Sequence, residues 1–210
     1  MNERKGLFIT FEGIDGCGKT TQLTSLSQML QSKGYEVLLI REPGGTSIGE
    51  KIRSILLDKN NLDMTPITEL LLYEAARAQI TQEKIRPWLE RGNCVICDRF
   101  YDSTVAYQGY GRGLSLSDIH ELNELSTNSL APDITFLLDI SPEEAYARRE
   151  GRGGEEDRLE GEGLAFMKKV REGYLTLAKD NARIKVIHAA SSVDTIRNEI
   201  EREVWEVLES

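Results

Sequence analysis

Residues 13–20 read Gly13-Ile14-Asp15-Gly16-Cys17-Gly18-Lys19-Thr20, the spacing G-x-x-x-x-G-K-[ST]. This stretch constrains the fold more than any other because it works in one setting, the end of a buried strand and the start of a helix. The flanks supply that setting. Leu7-Phe8-Ile9-Thr10-Phe11 is an apolar run of strand length, and from Thr21 to Lys33 apolar Leu23, Leu26, Met29 and Leu30 share one helical face. Glycines let the backbone curl so that its N–H groups converge on an anion. Lys19 adds a point charge, Thr20 a hydroxyl for a magnesium ion, and the helix its positive end. The ligand implied is the phosphate chain of a nucleoside triphosphate, held by Gly13, Ile14, Asp15, Gly16, Cys17, Gly18, Lys19, Thr20 and Thr21.

Further apolar runs recur along the chain at Glu36–Ile40, Cys94–Cys97 (ending at Asp98), Ile134–Asp139 and Ile184–Ile187. None alternates polar with apolar, as expected of strands covered on both faces. Helical patterns lie between them at Ile48–Leu57, Thr68–Glu90, Ser117–Ser129, Pro142–Arg149, Gly163–Lys179 and Val193–Leu208. Strands alternating with helices over the whole length predict the α/β class, with a five-stranded parallel sheet and helices on both faces. At 210 residues, positions 1–210 suit a single domain with a real core.

The formal net charge of −9 argues against a sequence-independent grip on nucleic acid, which needs clustered Lys and Arg. No run of about 18 apolar residues is present to span a membrane, and Met1-Asn2-Glu3-Arg4-Lys5 leads into a strand rather than a signal-peptide segment. Cys17, Cys94 and Cys97 are odd in number with apolar neighbours, which suggests reduced thiols and a cytoplasmic protein. The C-x-x-C spacing of the last two lies within an apolar strand, without a second pair, so a redox or zinc reading is weak.

Arg148-Arg149-Glu150-Gly151-Arg152-Gly153-Gly154-Glu155-Glu156-Asp157-Arg158 is glycine-rich and charged. It predicts a mobile, exposed, arginine-rich lid, approximately 148–160, that closes over phosphates; a plain solvated connector is the alternative. The chain has no N-K-x-D guanine-reading motif, and a compact acidic domain with such a lid fits phosphoryl transfer between small molecules. Bringing two phosphates together costs Coulomb repulsion that only placed cations offset. Asp98 and Arg99 stand at the carboxyl end of the third strand, where ligands bind in such sheets. Asp98 is placed to hold magnesium or its waters, and Arg99 to bridge the donor and acceptor phosphates.

Four segments in register resemble bacterial thymidylate kinases: Phe11-Glu12-Gly13-Ile14-Asp15-Gly16 through Thr21; Arg41-Glu42-Pro43-Gly44-Gly45-Thr46; Asp98-Arg99-Phe100 with Ala106-Tyr107-Gln108-Gly109; and Asp157-Arg158-Leu159-Glu160. The likeness covers nearly the whole chain. It implies the architecture of a P-loop nucleoside monophosphate kinase. The implied reaction is ATP plus dTMP giving ADP plus dTDP with Mg2+, in a step of dTTP synthesis, carried out by a homodimer. It further implies that Asp15 reaches the sugar 3′-hydroxyl and that Arg53 binds the dTMP phosphate. Tyr73, where phenylalanine is common, stacks on thymine while Arg77 bonds its O4. Thr104 and Gln108 read the base edge, and Tyr107 packs against C2′ to exclude a ribose hydroxyl.

The resemblance also assigns the arginine that stabilises the transferring phosphoryl group to the lid, because no variable P-loop position is basic. Arg158 matches the family motif; Arg149 and Arg152 stay undecided between them. Lys19, Asp98, Arg99, Arg149, Arg152 and Arg158 form the expected catalytic set, with Thr20 and Asp98 on the metal. Two other readings stay open: a kinase for another nucleoside monophosphate or a deoxynucleoside, and a nucleotide-binding regulatory module that transfers nothing.

Overall fold

Residues 6–150 and 158–209 are described by a computed structural model. At its centre β1 (Leu7–Glu12) is buried along its whole length. It pairs in parallel with β3 (Cys94–Asp98) on one side and β4 (Ile134–Asp139) on the other. Strands β2 (Val37–Arg41) and β5 (Ile184–His188) complete a parallel sheet of order β2-β3-β1-β4-β5. The order reverses at β1, so the crevice beyond its carboxyl end is the ligand position that such sheets provide.

Strands β1 and β3 each feed two cores because successive side chains point to opposite faces. Leu7, Ile9 and Phe11 meet α1 (Lys19–Ser32), α8 (Gly163–Asp180) and α9 (Val193–Glu209). Phe8, Val95 and Cys97 meet Ile80, Ile85 and Phe100 on the other side. Burying each such side chain stabilises the fold by about 1.5–3 kcal/mol. Double coverage is also why these strands lack polar alternation. Cys94 and Cys97, three residues apart on one strand, belong to opposite cores. All three thiols are free and buried, and burial, helped by the nearby Glu42 carboxyl, pushes Cys97 well above the ordinary thiol range.

The remaining helices differ from the sequence expectation in three places. The pattern over Thr68–Glu90 is not one regular helix: α3 (Pro66–Ile80) widens into a π-helical stretch, Thr81–Ile85, before α4 (Arg86–Leu89). Residues 101–111, which carry no clear apolar period, are also helical. They form α5 (Tyr101–Thr104) followed by a π-helical stretch, Val105–Gly111. Close packing explains the missing signal. A Cβ on Gly111 would lie 2.7 Å from the Phe166 ring of α8, and one on Gly109 would lie 2.6 Å from Leu116 of α6 (Leu116–Thr127). Glycine is needed there for contact, although it reads as a helix breaker. Finally, Arg148 and Arg149, which the sequence places both in a helix ending at Arg149 and at the start of the lid, belong to the last turn of α7 (Pro142–Glu150). The rest of the expected lid up to Asp157, Arg152 included, lies outside the described residues.

Candidate active site

The loop between β1 and α1 needs backbone angles that only glycine adopts without strain. Gly18 ends the loop at φ 100°, and Gly16, at φ 93°, lies so close to α7 that a Cβ would sit 2.5 Å from the Ala145 carbonyl. The side chains of Ile14 and Cys17 turn into the core, so at those two positions only backbone faces a ligand. The Cys17 amide already donates to the Ile14 carbonyl at 3.2 Å. Lys19 is nearly buried, and its Nζ donates to the Gly13 carbonyl at 2.9 Å, with Asp15 Oδ1 3.8 Å away. Thr20 and Thr21 open the helix on the exposed side. No side chain caps α1, so its first amides remain available to phosphate oxygens.

A cavity of about 680 Å3 begins at this loop and runs under the ends of β2 and β3. Gly16, Gly18, Lys19, Thr20 and Thr21 line its near end. Asp98 and Arg99 at the end of β3 also line it, together with Arg53, Tyr73, Arg77, Thr104, Tyr107 and Gln108. Arg53 is carried by α2 (Ser47–Leu57), which starts on a Thr46 cap accepting from the Gly49 amide at 2.9 Å. Its Nη1 donates to the Pro43 carbonyl at 2.9 Å. Tyr73 and Arg77, one turn apart on α3, face the cavity together. The end of α5 does the same for Thr104 and the π-helical stretch after it for Tyr107 and Gln108, consistent with the habit of such stretches to occur at sites.

Arg77 is the most constrained of these. It is 1% exposed. Its Nε donates to Glu42 at 2.9 Å, and Nη1 to Glu74 at 2.6 Å, Thr104 at 2.9 Å and Asn123 at 3.2 Å. None of these bonds uses Nη2. Burial pushes the Glu42 carboxyl up to about 7, against the pull of Arg77.

Arg99 links the two ends. Its Nη2 donates to Asp15 at 2.8 Å and to the Tyr107 hydroxyl at 3.2 Å, and Nη1 reaches Tyr174 at 3.1 Å and Ser103 at 3.3 Å. Arg99 has φ 68°, an unfavourable region for a side-chain-bearing residue that costs about 1–3 kcal/mol. The Arg99 N–H is nevertheless bonded to the Phe11 carbonyl at 2.9 Å, holding the strained residue against β1. Desolvation resists ionisation of Asp15, but Arg99 and Lys19 outweigh it and hold the carboxyl well below the usual range. Beneath them Glu12 is fully buried, accepting from the Phe100 amide at 2.7 Å, Ser103 at 2.6 Å and Tyr174 at 2.9 Å.

Asp98 Oδ1 is buried and takes no hydrogen bond from the described residues. Thr20 lines the same cavity. An orphaned carboxylate oxygen beside a phosphate-binding loop fits a hard divalent cation that completes its shell with phosphate oxygens and water. No group of three His, Cys, Asp or Glu side chains that could hold a metal ion occurs among the described residues.

The lid arginines separate. Arg149 lines the cavity, and its stem passes 3.2 Å from where a Gly16 Cβ would sit. Arg158 is not brought to the P-loop. Its Nε donates to the Leu56 carbonyl at 2.9 Å and its Nη2 to Glu69 at 2.6 Å. The physical reason is Glu69, 1% exposed on α3, whose charge needs a buried partner. Sequence reasoning gave no role to Glu12, Glu42, Glu69, Ser103 or Tyr174. Glu12 and Glu42 stand at ends of apolar strands inside recognisable motifs, a signal like that of Asp98; Tyr174 and Glu69 carry none.

Comparison with known proteins agrees with this geometry. The family profile described as thymidylate kinase matches residues 11–200. The thymidylate kinase of Caldanaerobacter subterraneus subsp. tengcongensis is 57% identical over 176 residues, 84% of this chain and 83% of that protein. The thymidylate kinase of Exiguobacterium sp. is 49% identical over 196 residues, 93% of this chain and 92% of that one. A crystal structure of thymidylate kinase from Ehrlichia chaffeensis superposes with a TM-score of 0.76 at 38% identity, covering 95% of this chain and 98% of its own.

Proposed function

We propose that this chain, which belongs to the thymidylate kinase family and phosphorylates dTMP from ATP, brings its two substrates into one cavity from opposite ends. The observation that carries the reading is Arg99, whose guanidinium donates both to Asp15 of the P-loop and to the Tyr107 hydroxyl in the same cavity. ATP phosphates occupy the near end, on the loop amides and Lys19. dTMP occupies the far end, with its phosphate on Arg53 and Arg99, its sugar between Asp15 and Tyr107, and its base against Tyr73, Arg77, Thr104 and Gln108.

The step breaks the bond between the γ-phosphorus and the β,γ-bridging oxygen of ATP and forms one to a dTMP phosphate oxygen. ADP leaves with the electron pair. Such a transfer needs alignment and charge neutralisation more than covalent participation by the protein. Lys19 neutralises phosphate charge at the donor, and Arg99 does so between the two. Arg149 supplies a guanidinium from the α7 side. Arg158 anchors the far end of the lid segment on α2 and α3. Magnesium would be held by Thr20 and, through water, Asp98, where it draws charge from the phosphate oxygens.

The finer readings have supports of their own. Exposed Ile67 and Leu71 on α3 and Leu125 on the adjoining α6 support a homodimer built on that face. Among the described residues no helix is long and apolar enough to cross a membrane. With three free thiols, this supports a cytoplasmic enzyme. One sheet threading all the described elements supports a single domain with the lid inside it.

A coupled ADP-release assay with ATP and magnesium tests the reading over dTMP, dUMP, dCMP, dGMP and thymidine. Turnover should be highest with dTMP. No ADP above background with any acceptor, or preference for thymidine or a purine monophosphate, would overturn it.

A further inference from the structure

Gln108 Nε2 donates to Glu69 Oε1 at 2.8 Å. Glu69 sits near the start of α3, buried, and two guanidinium groups converge on it. Arg112 donates from Nε to Oε1 at 3.2 Å and from Nη2 to Oε2 at 3.0 Å, and Arg158 donates from Nη2 to Oε2 at 2.6 Å. Burial works against the charge, but these bonds outweigh it and hold the carboxyl below its ordinary range. An ionised carboxylate only accepts hydrogen bonds. The amide of Gln108 therefore has one permitted orientation, with its NH2 toward Glu69. Gln108 also lines the cavity, and its Oε1 takes no bond from the described residues. The cavity wall at Gln108 is thus an acceptor. In the same cavity Arg77 has spent Nε and Nη1 on protein partners, leaving Nη2 as a donor.

One acceptor and one donor complement N3–H and O4, the edge shared by thymine and uracil. Cytosine presents the reverse, an acceptor at N3 and a donor amine at C4. We propose that Glu69 is a positioning residue for base selection: it locks the Gln108 amide so that the cavity accepts thymine-type edges and rejects cytosine. This rests on the dTMP reading of the far end of the cavity. Glu69 touches no substrate; it acts through Gln108, while Arg112 and Arg158 keep it charged.

The test is Glu69→Gln, which preserves shape but can donate as well as accept, so the Gln108 amide is free to turn over. Values of kcat/KM with ATP are measured for dTMP, dUMP and dCMP in both proteins. The dTMP:dCMP ratio should fall about tenfold, the scale of one mismatched hydrogen bond at a base edge, while dTMP:dUMP holds within about twofold. A parallel loss with all three acceptors, or an unchanged dTMP:dCMP ratio, overturns the proposal. If Glu69→Gln does not fold, the wild-type protein decides by NMR. The Gln108 side-chain NH2 should exchange slowly with solvent, and exchange as fast as that of an exposed glutamine overturns the proposal. Wild-type protein that fails to phosphorylate dTMP would instead sink the functional reading and leave the amide measurement to judge Glu69.

Discussion

The guanidinium of Arg99 lies 2.8 Å from the carboxylate of Asp15, tying the end of β3 to the P-loop. An acid inside an anion-binding loop repels phosphate, so its presence needs a compensating return. Here it holds the Arg99 guanidinium that also donates to Tyr107, while its own side chain is about one-third exposed, at 35%. Asp15→Asn keeps the shape but removes the charge of the pair. A hydrogen bond between charged groups contributes about 1.5–3 kcal/mol, so kcat/KM for dTMP should fall roughly 10- to 100-fold. The KM for ATP should move less than about threefold. Initial-rate kinetics with each substrate varied check this, and equal damage to both substrates would contradict it.

Lys19→Met removes the ammonium that sits on the loop carbonyls at 2.9 Å and would face the ATP phosphates. One lost electrostatic stabiliser of this kind costs about 10²–10³ in kcat. The side chain is nearly buried, and methionine fills most of its volume, so circular dichroism and thermal melting should change little. Near-normal turnover would remove the P-loop lysine from the reaction.

The central strands β1, β3 and β4 were legible because burial on both faces leaves an unbroken apolar run, and β4 was read to the residue at Ile134–Asp139. The P-loop and strand-end residues were legible because local backbone geometry demands those residue types at that spacing. What failed did so for reasons outside any local window. Residues 101–111 hid as a helix because Gly109 and Gly111 answer to Leu116 and Phe166, not to helix propensity. The Arg158–Glu69 contact, across 89 positions of sequence, likewise leaves no local signal. Tyr174 reaches Glu12 from 162 positions away, a pairing that no periodicity encodes.

Arg149 and Arg158 should separate cleanly in kinetics. Arg149 lines the cavity beside Gly16, so Arg149→Met should lower kcat by about 10²-fold with little change in KM for dTMP. Arg158 is bound to Leu56 and Glu69, on the acceptor side. Arg158→Met should therefore raise the KM for dTMP while kcat falls less than about tenfold. A kcat loss in Arg158→Met equal to that of Arg149→Met would return Arg158 to the transferring phosphoryl group.

Tyr107 is 5% exposed and packs edge-on to Phe166 and Tyr174, so it is both a wall of the cavity and part of the core. Two substitutions divide these roles. Tyr107→Phe removes only the hydroxyl that accepts from Arg99 at 3.2 Å, and dTMP turnover should fall no more than about tenfold. Tyr107→Ala opens space at the sugar. It should raise the ratio of UMP to dUMP turnover even as stability drops by about 3–5 kcal/mol. An unchanged ratio in a folded Tyr107→Ala protein would retire the steric exclusion of ribose.

Glu12 gives the fold a pH dependence whose sign is fixed by its surroundings. Burial, with the Asp102 carboxylate adding to it, pushes Glu12 from 4.5 up to about 7, against the opposing pull of Arg99. The native protein then binds the Glu12 proton more tightly than the unfolded chain does. The contribution to stability is full below pH 4.5, declines as pH rises toward about 7, and is lost above it. Glu42, also at about 7, adds a second decline of the same sign, so wild-type behaviour alone does not isolate either group. The difference between proteins does. Glu12→Gln cannot titrate, while its amide can still accept from the Phe100 N–H and turn its NH2 toward Ser103 and Tyr174. Urea denaturation of both proteins at pH 5, 6, 7 and 8 measures the stability of Glu12→Gln relative to wild type. That difference should shift in favour of Glu12→Gln from pH 5 to 7, with a slope no steeper than about 1.4 kcal/mol per pH unit, and then level off. A difference that stays flat across the series would show that Glu12 is ionised throughout, held charged by Arg99 and its hydroxyl donors.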